Sequence, residues 1–473
     1  MEASLSDFSV LSVLVTAALV CLTVYFWKFT QWHYWKQRGV PYLKPVLPIF
    51  GNMYDLLKLR SLPDISNRIY KETKGLPYVG IYACHTPVLF VRDLDLITKI
   101  LVNDFNHFED RGFNFNVNDI LGRNLIHQKG SDWRFSRSKL VSCFGVNKVK
   151  AMFPTMKSKS EVLEEILKQE DTSCIDIWEA SLRYTTDVIT SCTIGVDANS
   201  LQKQDEQFRL AGSHMLGSHF IYHVFMGCFF PRLHRILGIA VAKDRVKRFF
   251  QTSLDQSNKI PEIDDNFIVA QSFIFFLAGF ESPGNVLACA LYEIAKQPHI
   301  QDTLCQEIHS VLDRYGGEVT FDALQDMKFL RQVVSEALRK YTPLTLIFRR
   351  CTKDYTIPDT STVIEKGTLV LIPLRSIHED PDYYPDPEVF DPERFSDENS
   401  ASRHAATYMP FGVGPRFCPA VLYSHIKIRT AMVNLLRQFE VCVTKETPAC
   451  LQPSPLAFLM APKNGIPLAF KKR

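Results

Sequence analysis

No excess of charge of either sign marks this chain: 54 Lys and Arg stand against 51 Asp and Glu, a net of +3 over 473 residues. That balance is too small to hold a polyanion, so nucleic acid is excluded as a partner. Nor are the cysteines paired. The 12 Cys are scattered with no C-x-x-C pair, which argues against a disulfide framework or a zinc site and for a reducing compartment. Internal repeats and low-complexity tracts are also lacking, which removes repeat architectures. What remains is a composition of 46% hydrophobic and 22% charged residues, that of a globular protein with a sizeable core. Length alone allows up to three domains, though large single domains exist.

One long apolar run is present. Phe8 to Trp27 carries no charge and is long enough to cross a bilayer as a helix. Glu2 and Asp7 precede it, while Lys28, Lys36 and Arg38 follow. The positive-inside rule then leaves the bulk of the protein in the cytoplasm. Tyr25, Phe26, Trp27 and Trp32 supply an aromatic belt. No basic n-region or small-residue cleavage site accompanies the run, so residues 1–27 are expected to be a retained anchor rather than a signal peptide. Pro41, Pro45 and Pro48 follow closely and predict a stiff linker over 28–50.

Leu76 to Val91 reads as a β-hairpin, and Asp93 opens a helix after it. Phe105 to Leu125 has no helical period, yet its Phe105, Phe108, Phe113 and Phe115 must bury against something. Trp133 and Arg137 then share a helical face at i and i+4. Residues 145–250 read as successive amphipathic helices. Their His219 and His223, also spaced i, i+4, sit among apolar neighbours without a third ligand and are expected in a core or membrane-facing helix. Only 251–265 separates the basic Arg245–Phe250 stretch from the next long helix, Phe267 to Gln297, which Asp264-Asp265 caps and Pro298 ends.

Inside that helix lies Ala278-Gly279-Phe280-Glu281-Ser282, followed by Pro283. Pro283 has no N–H to give the Gly279 carbonyl, and its ring crowds that oxygen, so a local bulge is expected there. Further on, Glu336 and Arg339 are spaced i, i+3, which also fits a surface ion pair.

The most informative stretch is Phe411-Gly412-Val413-Gly414-Pro415-Arg416-Phe417-Cys418. Two glycines permit a sharp turn and Pro415 stiffens its exit. Arg416 presents a fork suited to a carboxylate. Cys418 stands at the mouth of a helix predicted over Val421 to Phe439, whose N-terminus favours a thiolate. A held thiolate beside a carboxylate clamp describes a ligand to haem.

This stretch resembles the cysteine-ligand loop of the cytochrome P450 family, F-x-x-G-x-R-x-C-x-[G/A], with Pro419-Ala420 where Gly is usual. The resemblance implies Cys418 as the axial ligand of haem iron and Arg416 as a propionate partner, with Phe411 opening the loop. It extends to four further motifs in order. Trp133 and Arg137 match W-x-x-x-R, both propionate contacts. Ala278–Ser282 matches the distal-helix motif [A/G]-G-x-[D/E]-[T/S], in which Glu281 and Ser282 supply protons for oxygen activation. Serine there keeps the hydroxyl but loses the methyl that holds its rotamer. Glu336 and Arg339 match E-x-x-R, and Arg394 in Pro392-Glu393-Arg394-Phe395 completes a buried network behind the haem loop. Arg349 and His378 match further propionate contacts.

The implied fold is mainly α with a small β-rich lobe (α+β), the cytochrome P450 fold, with residues 51–473 as the haem-thiolate catalytic domain. The chain is most similar to microsomal members of arthropods. The implied activity is monooxygenation of a lipophilic small molecule: a xenobiotic, a steroid or a fatty-acid-like compound. Electrons would come from NADPH–cytochrome P450 reductase, with cytochrome b5 as an optional second partner, at the endoplasmic reticulum membrane. Lys139, Lys148, Lys427 and Arg429 are candidate positive charges for reductase docking. Two rival readings stay open: a thiolate-haem isomerase or dehydratase acting on peroxides, and a catalytically impaired haem-binding relic, suggested by the short 251–265 connection.

Overall fold

A computed structural model describes residues 12–24, 33–47, 49–58, 60–116, 118–169, 173–203, 207–215, 218–255, 264–455 and 459–473. Helices dominate and strands are confined to small sheets, as a mainly α chain with a β-rich lobe requires.

The lobe grows from the hairpin. Tyr78–Ala83 (β1) and Thr86–Val91 (β2) pair antiparallel, Tyr78 opposite Val91. Ile347–Arg350 (β3) and Leu369–Ile372 (β4) complete a sheet in the order β1-β2-β4-β3. Asp93 caps the helix after β2, its carboxylate accepting the Leu96 N–H at 2.7 Å.

Of the uncharged N-terminal run, the described part, Ser12–Val24, is a helix with exposed apolar side chains. The proline-rich stretch behind it packs onto the sheet. Trp35 is buried, its Nε1–H donates to the Ile81 carbonyl at 3.0 Å, and its ring lies where a Gly80 side chain would be. Gly80 also exchanges backbone bonds with Pro41 and Leu43, and Arg38 pairs with Glu365 at 2.6 Å. Residues 256–263 of the short connection lie outside the described residues.

The helices that position the site are Gly130–Leu140 (α1), Ile177–Ile189 (α2), Ser218–Phe229 (α3), Asp265–Lys296 (α4), Lys328–Lys340 (α5) and Val421–Leu436 (α6). Among the described residues α4 alone is long and apolar enough to cross a membrane, but most of it is buried in the protein. Its hydrophobicity is therefore that of a core helix. The Asp264 carboxylate caps it, accepting the Asn266 N–H at 3.2 Å, and Pro298 opens the next helix. Helix α2 lies so close that a Cβ on Gly279 would fall 2.5 Å from Ile189 Cδ1.

Two expectations need correction. The bulge expected at Pro283 does not interrupt α4; the Gly279 carbonyl, which Pro283 cannot serve, accepts from Lys427 Nζ at 2.5 Å. Helix α6 also stops at Leu436, short of Phe439. Phe439–Val443 instead pairs with Pro467–Lys472 as a strand, as its Phe439, Val441, Val443 alternation favours.

Candidate active site

The Phe411–Cys418 segment closes on itself. Gly412 N–H bonds the Met409 carbonyl, Phe417 N–H bonds that of Gly414, and Cys418 N–H returns to the Phe411 carbonyl at 2.8 Å. Both glycines have left-handed backbones, φ +69° and +71°, but only Gly414 faces a wall. A Cβ there would lie 1.9 Å from the Leu101 carbonyl oxygen, so this loop is seated directly on the backbone of the 99–103 turn. Cys418 stands three residues ahead of α6, outside the first helical turn. Burial pushes its thiol up, against the opposing pull of the Ala420 N–H, Arg111 and Arg137. The helix end alone therefore does not make a thiolate here; a bound metal cation would.

Four arginines gather around this cysteine. Burial and the neighbouring Arg111 and Arg349 pull Arg416 down to about 8. Burial and Arg111 pull Arg349 down to about 9, and burial and Arg137 pull Arg111 down to about 10. Burial also lowers Arg137. Like charges this close are normally separated or neutralised. Here the nearest carboxylate to Arg416 is Asp110, at 4.0 Å, while Glu109 is engaged by Arg134 at 2.5 Å. The Arg416 fork instead donates to the carbonyls of Glu109 and Gln128, each at 2.9 Å. Its guanidinium lies over the Trp133 ring, 4.0 Å from the centroid, a cation–π contact. Arg349 Nε and Arg137 Nη2 are buried without a hydrogen-bond partner among the described residues. These cations fit a dianionic ligand, for which bidentate arginine pairs are the usual receptor. Trp133, Arg137, Arg349 and Arg416 are thus brought together as expected. Arg111, which also donates to the Arg416 carbonyl at 3.0 Å, escaped the sequence reading. Its one signal is a lone cation, flanked by Asp110 and Gly112, in an aromatic loop.

Helix α4 carries its motif residues in mid-helix. Ala278 is exposed in the middle of an otherwise buried helix, and Phe275 and Ser282, on the same face, keep part of their surface. Cys418 likewise keeps accessible surface deep in the protein. The Ser282 hydroxyl donates to the Ala278 carbonyl at 2.6 Å. Burial pushes the Glu281 carboxyl up to about 7, with Arg209 and Asn285 opposing. A carboxyl poised there can give or take a proton near neutral pH. Asn285 is fixed in turn by the Trp178 Nε1–H at 2.6 Å and by the Met460 carbonyl.

Behind the cysteine loop, Glu336 and Arg339 form a fully buried bidentate pair at 2.7 and 2.8 Å. Glu336 also accepts the Asp391 N–H at 3.0 Å and faces Arg394 Nε at 3.6 Å. Arg339 continues to the His378 and Pro387 carbonyls, which satisfies the guanidinium. His378 belongs to this network by its contacts: its Nε2 accepts the Met409 N–H at 3.2 Å and its ring stacks on Tyr408. Its Nδ1, like Arg349 Nε, is buried without a hydrogen-bond partner among the described residues. Phe411 packs against His425.

Of the charges considered for reductase docking, Lys139 and Lys148 are exposed, whereas Lys427 and Arg429 are buried and cannot meet a partner. Arg429 spends its guanidinium on the Leu324 carbonyl at 3.0 Å. His223 is buried too, between His127 and His234 at 3.4 and 3.1 Å.

A family model described as Cytochrome P450 matches residues 41–469. Cytochrome P450 6k1 of Blattella germanica is 36% identical over 510 residues, with 97% of each chain covered. Probable cytochrome P450 6a13 of Drosophila melanogaster is 36% identical over 469 residues, covering 93% of this chain and 94% of that protein. Cytochrome P450 6B2 of Helicoverpa armigera is 32% identical over 498 residues, with 97% of each covered. The chain belongs to the cytochrome P450 family, is similar throughout to insect members, and is a haem monooxygenase.

Proposed function

We propose that Cys418 would supply the thiolate that holds haem iron, and that Arg416, Arg349, Arg137, Arg111 and Trp133 would hold its two carboxylates. The observation that carries this reading is the buried arginine cluster beside Cys418, in which Asp110 comes no nearer to Arg416 than 4.0 Å and Glu109 is engaged by Arg134. Haem supplies the binding and reductive activation of dioxygen, with one oxygen atom inserted into substrate and the other leaving as water. The chain's own residues do the rest. The Glu336–Arg339–Arg394 network holds the polypeptide behind the cysteine loop. Glu281, raised by burial, carries a proton at neutral pH, and Ser282 orders the water that receives it. The face of α4 at Phe275 and Ala278 offers an apolar surface to substrate.

The substrate is a lipophilic small molecule of the xenobiotic, steroid or fatty-acid-like kind. NADPH–cytochrome P450 reductase delivers the electrons, with cytochrome b5 as an optional second donor. Residues 1–27 anchor the protein in the endoplasmic reticulum membrane with the catalytic body in the cytosol. A carboxyl and a hydroxyl on the distal helix favour oxygen activation over peroxide rearrangement. The test is spectroscopic first: reduced protein with carbon monoxide should show the red-shifted Soret band of thiolate-ligated haem, and Cys418→Ala should abolish it. A band unchanged by that substitution would overturn the assignment. Turnover of a panel of lipophilic compounds with reductase, against turnover with peroxide alone, separates monooxygenase from isomerase.

A further inference from the structure

We propose that Lys427 is a positioning residue for the proton-handling turn of α4, its side-chain N–H standing in for the peptide N–H that Pro283 lacks. The proposal rests on the reading of Glu281 and Ser282 given above. Two features of this chain are each unfavourable alone. A proline inside a helix leaves the carbonyl four residues back without its donor. An ammonium buried without a counter-ion loses its hydration. Here the two meet at one oxygen. Lys427 has no exposed surface and no carboxylate among the described residues pairs with it; the titratable group acting on it is the Cys192 thiol, which burial pushes up to about 11. Its Nζ lies 2.5 Å from the Gly279 carbonyl oxygen, the acceptor that Pro283 cannot serve.

The lysine is itself held in place. Tyr184 donates to the Lys427 carbonyl at 3.0 Å, and the Tyr423 ring lies 4.9 Å from the ammonium. The next carbonyl along α4, that of Phe280, takes an extra bond from the Thr185 hydroxyl at 2.6 Å. Side chains from α2 and α6 therefore grip the turn from Gly279 to Pro283 by its backbone. Between those two residues sit Glu281 and Ser282, so the oxygen that Lys427 holds sets the pitch of the segment presenting both. Burial pulls Lys427 down to about 7, and both its protonation states carry N–H donors, so the bond persists on either side of neutrality.

The test is a double-mutant cycle on the full-length, haem-loaded protein: Lys427→Met, Pro283→Ala and the two together. Pro283→Ala restores a peptide N–H four residues from Gly279, which makes the lysine dispensable. Lys427→Met alone should lower the thermal unfolding midpoint by roughly 4 °C and product formed per NADPH about threefold. In the Pro283→Ala background the same change should cost less than about half as much in both readouts. If Lys427→Met yields no haem-loaded protein, recovery of loaded protein in the double variant carries the same meaning, and failure of both overturns the proposal. Equal penalties in the two backgrounds overturn it as well. A stability rescue with product per NADPH unmoved throughout overturns the positioning role. Ser282→Ala, assayed alongside, shows whether the underlying reading failed instead, since it leaves the Lys427–Gly279 bond intact and tests the hydroxyl alone.

Discussion

Gly412 and Gly414 stand one residue apart with nearly the same backbone angles, yet alanine should be tolerated at one and not at the other. At Gly412 the nearest atom to a new Cβ is Phe417 Cα at 3.9 Å, an ordinary contact. Gly412→Ala therefore meets only the left-handed backbone penalty of about 1–2 kcal/mol, partly offset by about 0.4–1 kcal/mol from a stiffer unfolded chain. At Gly414 the same methyl would fall 1.9 Å from the Leu101 oxygen and 2.8 Å from its carbon. Reaching normal contact requires roughly 1.5 Å of retreat. Both partners are backbone, so no side-chain rotation relieves the clash. Adding about 1–3 kcal/mol for overpacking to the same net backbone cost brings Gly414→Ala to about 1–5 kcal/mol. The retreat is transmitted to Cys418, four residues on. Haem per polypeptide, the carbon monoxide band and the unfolding midpoint should be measured for both variants. Gly412→Ala should keep most of its haem and its band, while Gly414→Ala should lose most of both. Equal losses, or a wild-type band in Gly414→Ala, would refute the view that this loop is seated on Leu101.

Removing the Glu336 carboxylate should leave Arg339 buried and unpaired, at about 3–5 kcal/mol; Glu336→Ala is expected to accumulate little haem-loaded protein in expression trials, and normal yield would contradict this. Ser282→Ala should keep haem uptake but raise the share of NADPH electrons lost as peroxide, and Ser282→Thr should lower it, because the added methyl restricts the rotamer; equal product per NADPH in all three proteins removes the hydroxyl from the mechanism. Burial holds His127 at about 3, His223 at about 2, and His378 and His425 at about 3. Below pH ~6.5 the unfolded chain takes up protons these imidazoles refuse, so the stability they contribute above that pH is lost by up to about 1.4 kcal/mol per unit for each; an unfolding midpoint that does not fall between pH 7.5 and 5.5 (assay conditions set at about one unit either side of 6.5) would count against their neutral burial.

What could be read from the sequence was whatever a short spacing encodes. The Phe411–Cys418 turn, the Glu336–Arg339 pair and the Tyr78–Val91 hairpin are local, and each formed where its pattern stood. Arg111 was illegible because nothing periodic surrounds it; only folding brings it beside Arg416. Lys427 and Arg429 misled for a different reason. Charge on a helix normally marks its wet face, but α6 is buried on nearly every side past Ile426, so its cations had to find carbonyls inside. The donor to the Gly279 carbonyl, which Pro283 cannot serve, is one of those cations, 144 positions beyond the proline, and no local rule could have supplied it. His223 lies in the core, one of the two places expected for it, but its hydrogen bonds to His127 and His234 join three separate segments.

The seat of Trp35 on Gly80 has a consequence for how substrate arrives. From Val24 to Tyr34 is ten residues, a reach of at most about 35 Å even fully extended. Beyond that point Trp35, Pro41 and Leu43 are fastened to β1 and Arg38 to Glu365, so no slack is left to pay out. On the proposal that residues 1–27 lie in a bilayer, the β-rich lobe would be moored within one membrane thickness of the lipid surface. Partition would then act before recognition does: compounds that concentrate in the bilayer would reach the protein at far higher local concentration than those that stay in water. Such a tether, as much as the lining of any cavity, would select for greasy molecules.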